Sequence, residues 1–144
     1  MVDIPEMGKA QMASQAGGPS AEHIRGVFED YCRLFSTGQT DAIAALYAED
    51  AVVRDPVTSP PVVGRDAISA WYQSAFDAME SDMLMELEGG VRIAGHLAAA
   101  AMIVRSTNNG VPFRVETLDV MQFNAEGLIT AMDAYFGPSN YHAA

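Results

Sequence analysis

Two aspartates stand where the alternation of the chain places apolar side chains. In the stretch from Pro112 to Asn124, Phe113, Val115, Thr117, Asp119, Met121 and Phe123 share one face, while Arg114, Glu116 and Gln122 take the other. Asp119 therefore points with the large apolar groups. Burying an ionised carboxylate without partners is costly, and the usual escape is a raised pKa that keeps the acid neutral. A neutral Asp119 would be a hydrogen-bond donor at ordinary pH. Asp55 ends a shorter run on the parity of Ala51 and Val53, next to Pro56, where water still reaches it. It is the better candidate for an ionised base. Two carboxyls whose surroundings push their pKa values apart are suited to divided acid and base roles. Tyr31, Tyr47 and Tyr72 fall on apolar faces of successive segments read as helical, and buried phenols so placed can satisfy one another.

Each residue also has a plainer role open to it. Asp119 could pair with Arg105, Asp55 before Pro56 could serve only as a turn former, and the tyrosines could be core residues. Met83, Met85, Met121 and Met132 read most simply as core filling, and Glu80, Asp82, Glu86 and Glu88 as a solvated edge.

The elements that must position these groups follow from periodicity. Residues 1–19 lack it and read as a flexible tail. Ser20 can cap a helix whose apolar face carries Ile24, Val27, Phe28, Tyr31, Leu34 and Phe35, with Gly38 as its stop. A short second helix is expected from Thr40 to about Tyr47, and a third from Arg65 to Ala78 with Ile68, Trp71, Tyr72, Ala75 and Phe76 on one side. Strands are expected at 51–55, 83–87, 91–93, 97–106, 112–124 and 128–136, with Val62-Val63 as a short additional candidate. Asn108-Asn109-Gly110 and Ala125-Glu126-Gly127 mark hairpin turns. Helices first and consecutive strands afterwards indicate an α+β domain over 20–137, with a short C-terminal tail at 138–144. The expected form is three N-terminal helices packed on a curved, mostly antiparallel sheet, making a cone with an internal apolar pocket.

Composition narrows the function. The 144 residues carry 8 Lys and Arg against 19 Asp and Glu, a formal net charge of -11, which disfavours nucleic acid and anionic membranes as partners. Hydrophobic residues make up 49%, enough for a packed core. Cys32 stands alone, so no intramolecular disulfide or thiolate cluster can form. His23, His96 and His142 are scattered without metal-ligand spacing, and no phosphate-binding glycine motif is present. Neither a signal peptide nor a membrane span is apparent, so a cytoplasmic protein without metal or cofactor is expected.

With these residues in view, the chain resembles the bacterial Δ5-3-ketosteroid isomerases, which share the fold of nuclear transport factor 2. The resemblance runs through Tyr31 to Gly38, Ala42-Ile43, Leu46 to Ala51, Val53-Arg54-Asp55-Pro56, Pro60 to Arg65, Trp71-Tyr72, Asp119 to Phe123 and Met132 to Phe136. It covers about residues 22–137 and is weak between Gln73 and Asn108. It implies that Asp55 is the general base, and that Tyr31 and a protonated Asp119 are the oxyanion donors. Tyr47 and Tyr72 would extend the network behind Tyr31. Trp71, Met132 and Phe136 would line the steroid cavity or flank the base. Phe136 stands where some members carry Trp. The resemblance further implies a homodimer and a cofactor-independent conversion of 3-oxo-Δ5-steroids to their Δ4 isomers. Other readings left open are a hydrolase or dehydratase on the same framework and a non-catalytic steroid-binding dimer.

Overall fold

The computed structural model describes residues 2–15 and 17–144. Within the segment read as a tail, Glu6–Met12 forms a helix, α1, none of whose residues is buried. Beyond it, the Gln15 side-chain oxygen accepts from the Gly95 amide at 3.1 Å. The Ser20 hydroxyl accepts from the His23 amide at 3.1 Å and opens α2 (Ala21–Ser36), whose buried face is Ile24, Val27, Phe28, Tyr31, Cys32 and Leu34. Gly38, at φ +64, adopts the left-handed turn that ends the helix, and the amides of Gly38 and Gln39 bond back to Phe35 and Leu34.

The next helix, α3, spans only Thr40–Ala44. Tyr47 is not on it, contrary to the expected helix through Tyr47: it opens strand β1 (Tyr47–Arg54). The Ile43, Leu46, Tyr47 spacing fits a helical face, but five residues are too few for periodicity to fix where a helix stops. Arg65, at the start of α4 (Arg65–Asp77), donates from Nε and Nη2 to the Tyr47 carbonyl at 2.9 and 2.6 Å. That bond holds the start of β1, where pairing with its neighbour shifts register between Tyr47 and Val52.

The remaining strands are β2 (Val62–Val63), β3 (Leu84–Leu87), β4 (Arg92–Ala94), β5 (Leu97–Asn108), β6 (Val111–Phe123), β7 (Ile129–Tyr135) and β8 (Tyr141–Ala143). β5 and β6 pair from Leu97↔Gln122 to Asn108↔Val111. That register leaves Asn109-Gly110 as a two-residue turn with φ +52 and +75, the geometry for which that dipeptide is suited. β8 lies within the expected C-terminal tail. It pairs with β6 at Phe113↔Ala143 and Val115↔Tyr141, and the His142–Glu116 contact of 2.6 Å fastens it there.

The expected curved sheet closing into a cone is not what forms. The sheet is mixed and open, in the order β2-β1-β7-β6-β5-β3, with β4 on β5 and β8 on β6. β1 runs parallel to β7, and the two ends of the path, β2 and β3, do not pair with each other. Alternating strands are compatible with open or closed sheets, so the patterning alone did not distinguish them. The enclosure comes instead from α2 and α4 laid against the sheet, with the core of Ile24, Phe28, Ile43, Val53, Ile68, Met102, Met121, Ile129 and Met132. Among the described residues, no helix is long and apolar enough to cross a membrane.

Candidate active site

Strand parity delivers Asp119 to the inner face of β6. Val115, Thr117, Asp119, Met121 and Phe123 are all buried, whereas Leu118 and Gln122 are exposed, and Asp119 itself is 2% exposed. Among the described residues, Arg105, the candidate partner, pairs instead with Glu86 at 3.2 Å on the surface. Its hydrogen bond is to Thr117, whose hydroxyl donates to Oδ1 at 2.9 Å. Asp55 lies one residue past the end of β1, preceded by Arg54, which turns outward into a two-point pair with Asp133 at 2.7 and 2.9 Å.

The three phenols form one chain. The Tyr72 hydroxyl lies 2.7 Å from that of Tyr31 and 2.8 Å from that of Tyr47. One residue comes from each of α2, β1 and α4, all essentially inaccessible to solvent. The Tyr31 and Tyr72 rings meet edge to face at 6.2 Å, and Trp71 packs on Tyr72 at 4.9 Å.

A cavity of about 240 Å³ joins these groups. Asp55, Trp71, Tyr72, Asp119 and Phe136 are on its wall, together with Phe35, Met79, Met83, Met85, Val104, Phe113, Val115, Thr117 and Tyr141. Tyr31 and Tyr47 are not on that wall and join the site through the Tyr72 hydroxyl. Met132 is not on the wall: it is fully buried, opposite Val53 of β1 and Met121 of β6. Phe113, Val115 and Thr117 were signalled in the sequence by sharing the parity of Asp119. Tyr141 lay in a segment too short for any periodicity. It reaches the wall because β8 docks on β6, where its ring stacks on Phe113 at 6.1 Å and meets Phe136 at 6.4 Å.

The electrostatics follow from dry surroundings. Burial pushes the Asp55 carboxyl up to about 6. Burial first, and then the nearby Asp55 charge, push Asp119 up to about 7, while the Thr117 hydrogen bond pulls the other way. All three phenols are raised above the ordinary tyrosine value, chiefly by burial, with the Asp55 charge adding to it in each and the Asp119 charge in Tyr31 and Tyr47. Around neutrality the cavity therefore holds neutral phenols, a carboxyl inclined to keep its proton and a second more inclined to lose it. Such a set can take a proton from carbon or water and hold a developing negative oxygen. Among the described residues, no group of three or more His, Cys, Asp or Glu is placed to hold a metal ion.

A family model described as a SnoaL-like domain matches residues 28–132. The chain belongs to the SnoaL-like family. It is 37% identical over 121 residues to a steroid Δ-isomerase of Nocardioides simplex, covering 84% of this chain and 94% of that one. It is 27% identical over 115 residues to the epoxide hydrolase LasB of Streptomyces lasalocidi, covering 75% of this chain and 39% of that longer protein. In three dimensions it matches SalBIII, an epoxide hydrolase/cyclase-like enzyme of pyran ring formation in the polyether salinomycin. That match has a TM-score of 0.76 at 23% identity, covering 85% of this chain and 97% of that one, and it establishes a shared fold. The chain is thus a small-molecule enzyme domain related to both isomerases and epoxide-opening enzymes.

Proposed function

We propose that this SnoaL-like domain is a steroid Δ-isomerase acting on β,γ-unsaturated 3-oxosteroids. The observation that carries the reading is the convergence on one apolar cavity of Asp55, Asp119 and Tyr72, whose hydroxyl is bonded to those of Tyr31 and Tyr47. Ionised Asp55 removes the proton from the carbon between carbonyl and alkene. The electron pair moves into the carbonyl, whose oxygen becomes a dienolate oxyanion. Protonated Asp119, on the cavity wall, donates one hydrogen bond to that oxygen. Tyr31, bonded to the wall residue Tyr72, turns its hydroxyl toward the cavity to donate the second. Such donors act more strongly in a dry site than in water. Protonated Asp55 then returns its proton to the far end of the dienolate, leaving the conjugated enone. Every atom is conserved and no electron acceptor is consumed. This division between a neutral acid and a working base is the one long associated with ketosteroid isomerases themselves. A cavity of about 240 Å³ is smaller than the roughly 300–1,000 Å³ of most ligand pockets. The distal rings of a steroid would extend past Phe136 and Tyr141 toward solvent.

The likeness to LasB and SalBIII favours a second reading, epoxide opening, in which one carboxyl protonates the epoxide oxygen while the other activates a nucleophilic water or hydroxyl. The structural match lies on this side, and the higher sequence identity on the isomerase side. Assaying the protein on a Δ5-3-ketosteroid and on an alkyl epoxide in parallel separates them. Enone formation without epoxide consumption is expected, and the reverse would replace the isomerase reading with the second.

A further inference from the structure

We infer that Thr117 is a positioning residue that fixes which oxygen of the Asp119 carboxyl carries the proton. The inference rests on the isomerase reading for its catalytic meaning, but the geometry behind it is independent of substrate. Thr117 and Asp119 are two residues apart on β6, so their side chains leave the same face side by side, and both line the cavity. The Thr117 hydroxyl donates to Oδ1 at 2.9 Å, and both residues are buried. An oxygen that accepts this bond is the carbonyl oxygen of the neutral acid, so the proton resides on Oδ2. A carboxyl with one fixed acceptor oxygen has one donor direction instead of two equivalent ones. An apolar β-branched residue such as Val would fill the same volume without that selection. An apolar wall makes a hydroxyl here a departure that the packing does not require.

The bond carries a cost that makes the inference testable. It also stabilises the ionised form, so Thr117 holds the Asp119 pKa lower than burial alone would set it. Besides Thr117, the titratable group that acts on Asp119 is Asp55, just after β1. The Asp119 charge in turn raises Tyr31 and Cys32 on α2 and Tyr47 at the start of β1, and Tyr72 on α4 is bonded to Tyr31. Of these, Asp55 alone titrates near neutrality, so an Asp55→Asn background removes its influence.

The decisive experiment is a carboxyl ¹³C NMR titration of Asp119, identified by loss of its signal in Asp119→Asn. It is run on the parent, Thr117→Val and Thr117→Ser proteins, each also carrying Asp55→Asn. Thr117→Val should titrate about one unit higher, the size expected for losing a hydrogen bond to a charged group. Thr117→Ser should titrate with the parent. With Asp55 present, Thr117→Val should lower kcat and kcat/KM together, by about 10-fold on the acid side of the profile, and move the alkaline limb upward. Equal titration of all three proteins would overturn the inference. The titration needs no substrate, so it decides the role of Thr117 even if no ketosteroid is turned over. Thr117→Ala serves in the same way if the Val variant fails to fold.

Discussion

The pH dependence of kcat/KM tests the assignment of acid and base more finely than any single substitution. The base must be ionised and the acid protonated, so the active fraction rises as pH passes the Asp55 pKa and falls as it passes that of Asp119. With the two groups at about 6 and about 7, the free enzyme holds the productive form at about 0.6 of the total near pH 6.5 and at about 0.1 at pH 5 and pH 8. The profile should therefore be a narrow bell that falls to roughly one-seventh of its peak at 1.5 units to either side. Because the carboxyls interact, the limbs report the pair titrating in two steps. The assay is initial enone absorbance at low ketosteroid concentration in buffers of constant ionic strength. Asp119→Asn should remove the alkaline limb, leaving a curve that rises through about 6 and then stays level. A wild-type profile level from pH 6 to 9 would refute the reasoning, as would an alkaline limb that survives in Asp119→Asn.

Further expectations follow from the same geometry. Tyr31→Phe should lower kcat by roughly 10²–10³-fold, the range for loss of one oxyanion donor. Tyr72→Phe removes the hydroxyl shared by two neighbours at 2.7 and 2.8 Å. It should lower unfolding stability by about 1–3 kcal/mol, read by urea denaturation, and an unchanged midpoint would contradict the chain of phenols. Asp55 and Asp119 both have folded-state pKa values above their ordinary 3.8, so the folded protein binds more protons than the unfolded one between about pH 4 and 7. Their contribution is favourable below that window and is lost as pH rises through it. The melting temperature should therefore fall from pH 5 to pH 8, and fall less in Asp119→Asn, whose side-chain oxygen can still accept from Thr117. We also propose a homodimer, supported by Leu118 and Tyr135, which face each other across β6 and β7 and are both exposed. Light scattering should give about twice 15.4 kDa, and a monomer at micromolar concentration would exclude it.

The inward placement of Asp119 was more legible in the sequence than the enclosure around it. Asp119 was visible because a carboxylate on the parity of Phe113, Val115, Met121 and Phe123 breaks a pattern of period two, and β6 keeps that parity without a bulge until Gln122/Phe123. The turn at Asn109-Gly110 was equally readable, since it requires the backbone that this dipeptide provides. Tyr47 was placed on an apolar face correctly but on the wrong element, because three apolar residues at a helix end fit both a last turn and a first strand residue. Met132 could not be separated from the cavity wall by pattern alone. Its inward face is shared by core and pocket, and only the packing of β1 and β6 against β7 decides between them. The open order of the sheet and the docking of Tyr141 depend on long-range pairing, for which local alternation carries no signal.

Proton transfer at carbon by Asp55 is most directly tested by following enone absorbance from a Δ5-3-ketosteroid with the wild-type protein and with Asp55→Asn. The expected result is rapid enone formation in the wild type and a loss of at least ~10²–10⁴-fold in the variant, with the fold retained by circular dichroism. Equal rates in the two folded proteins, or no enone from either, would contradict the account.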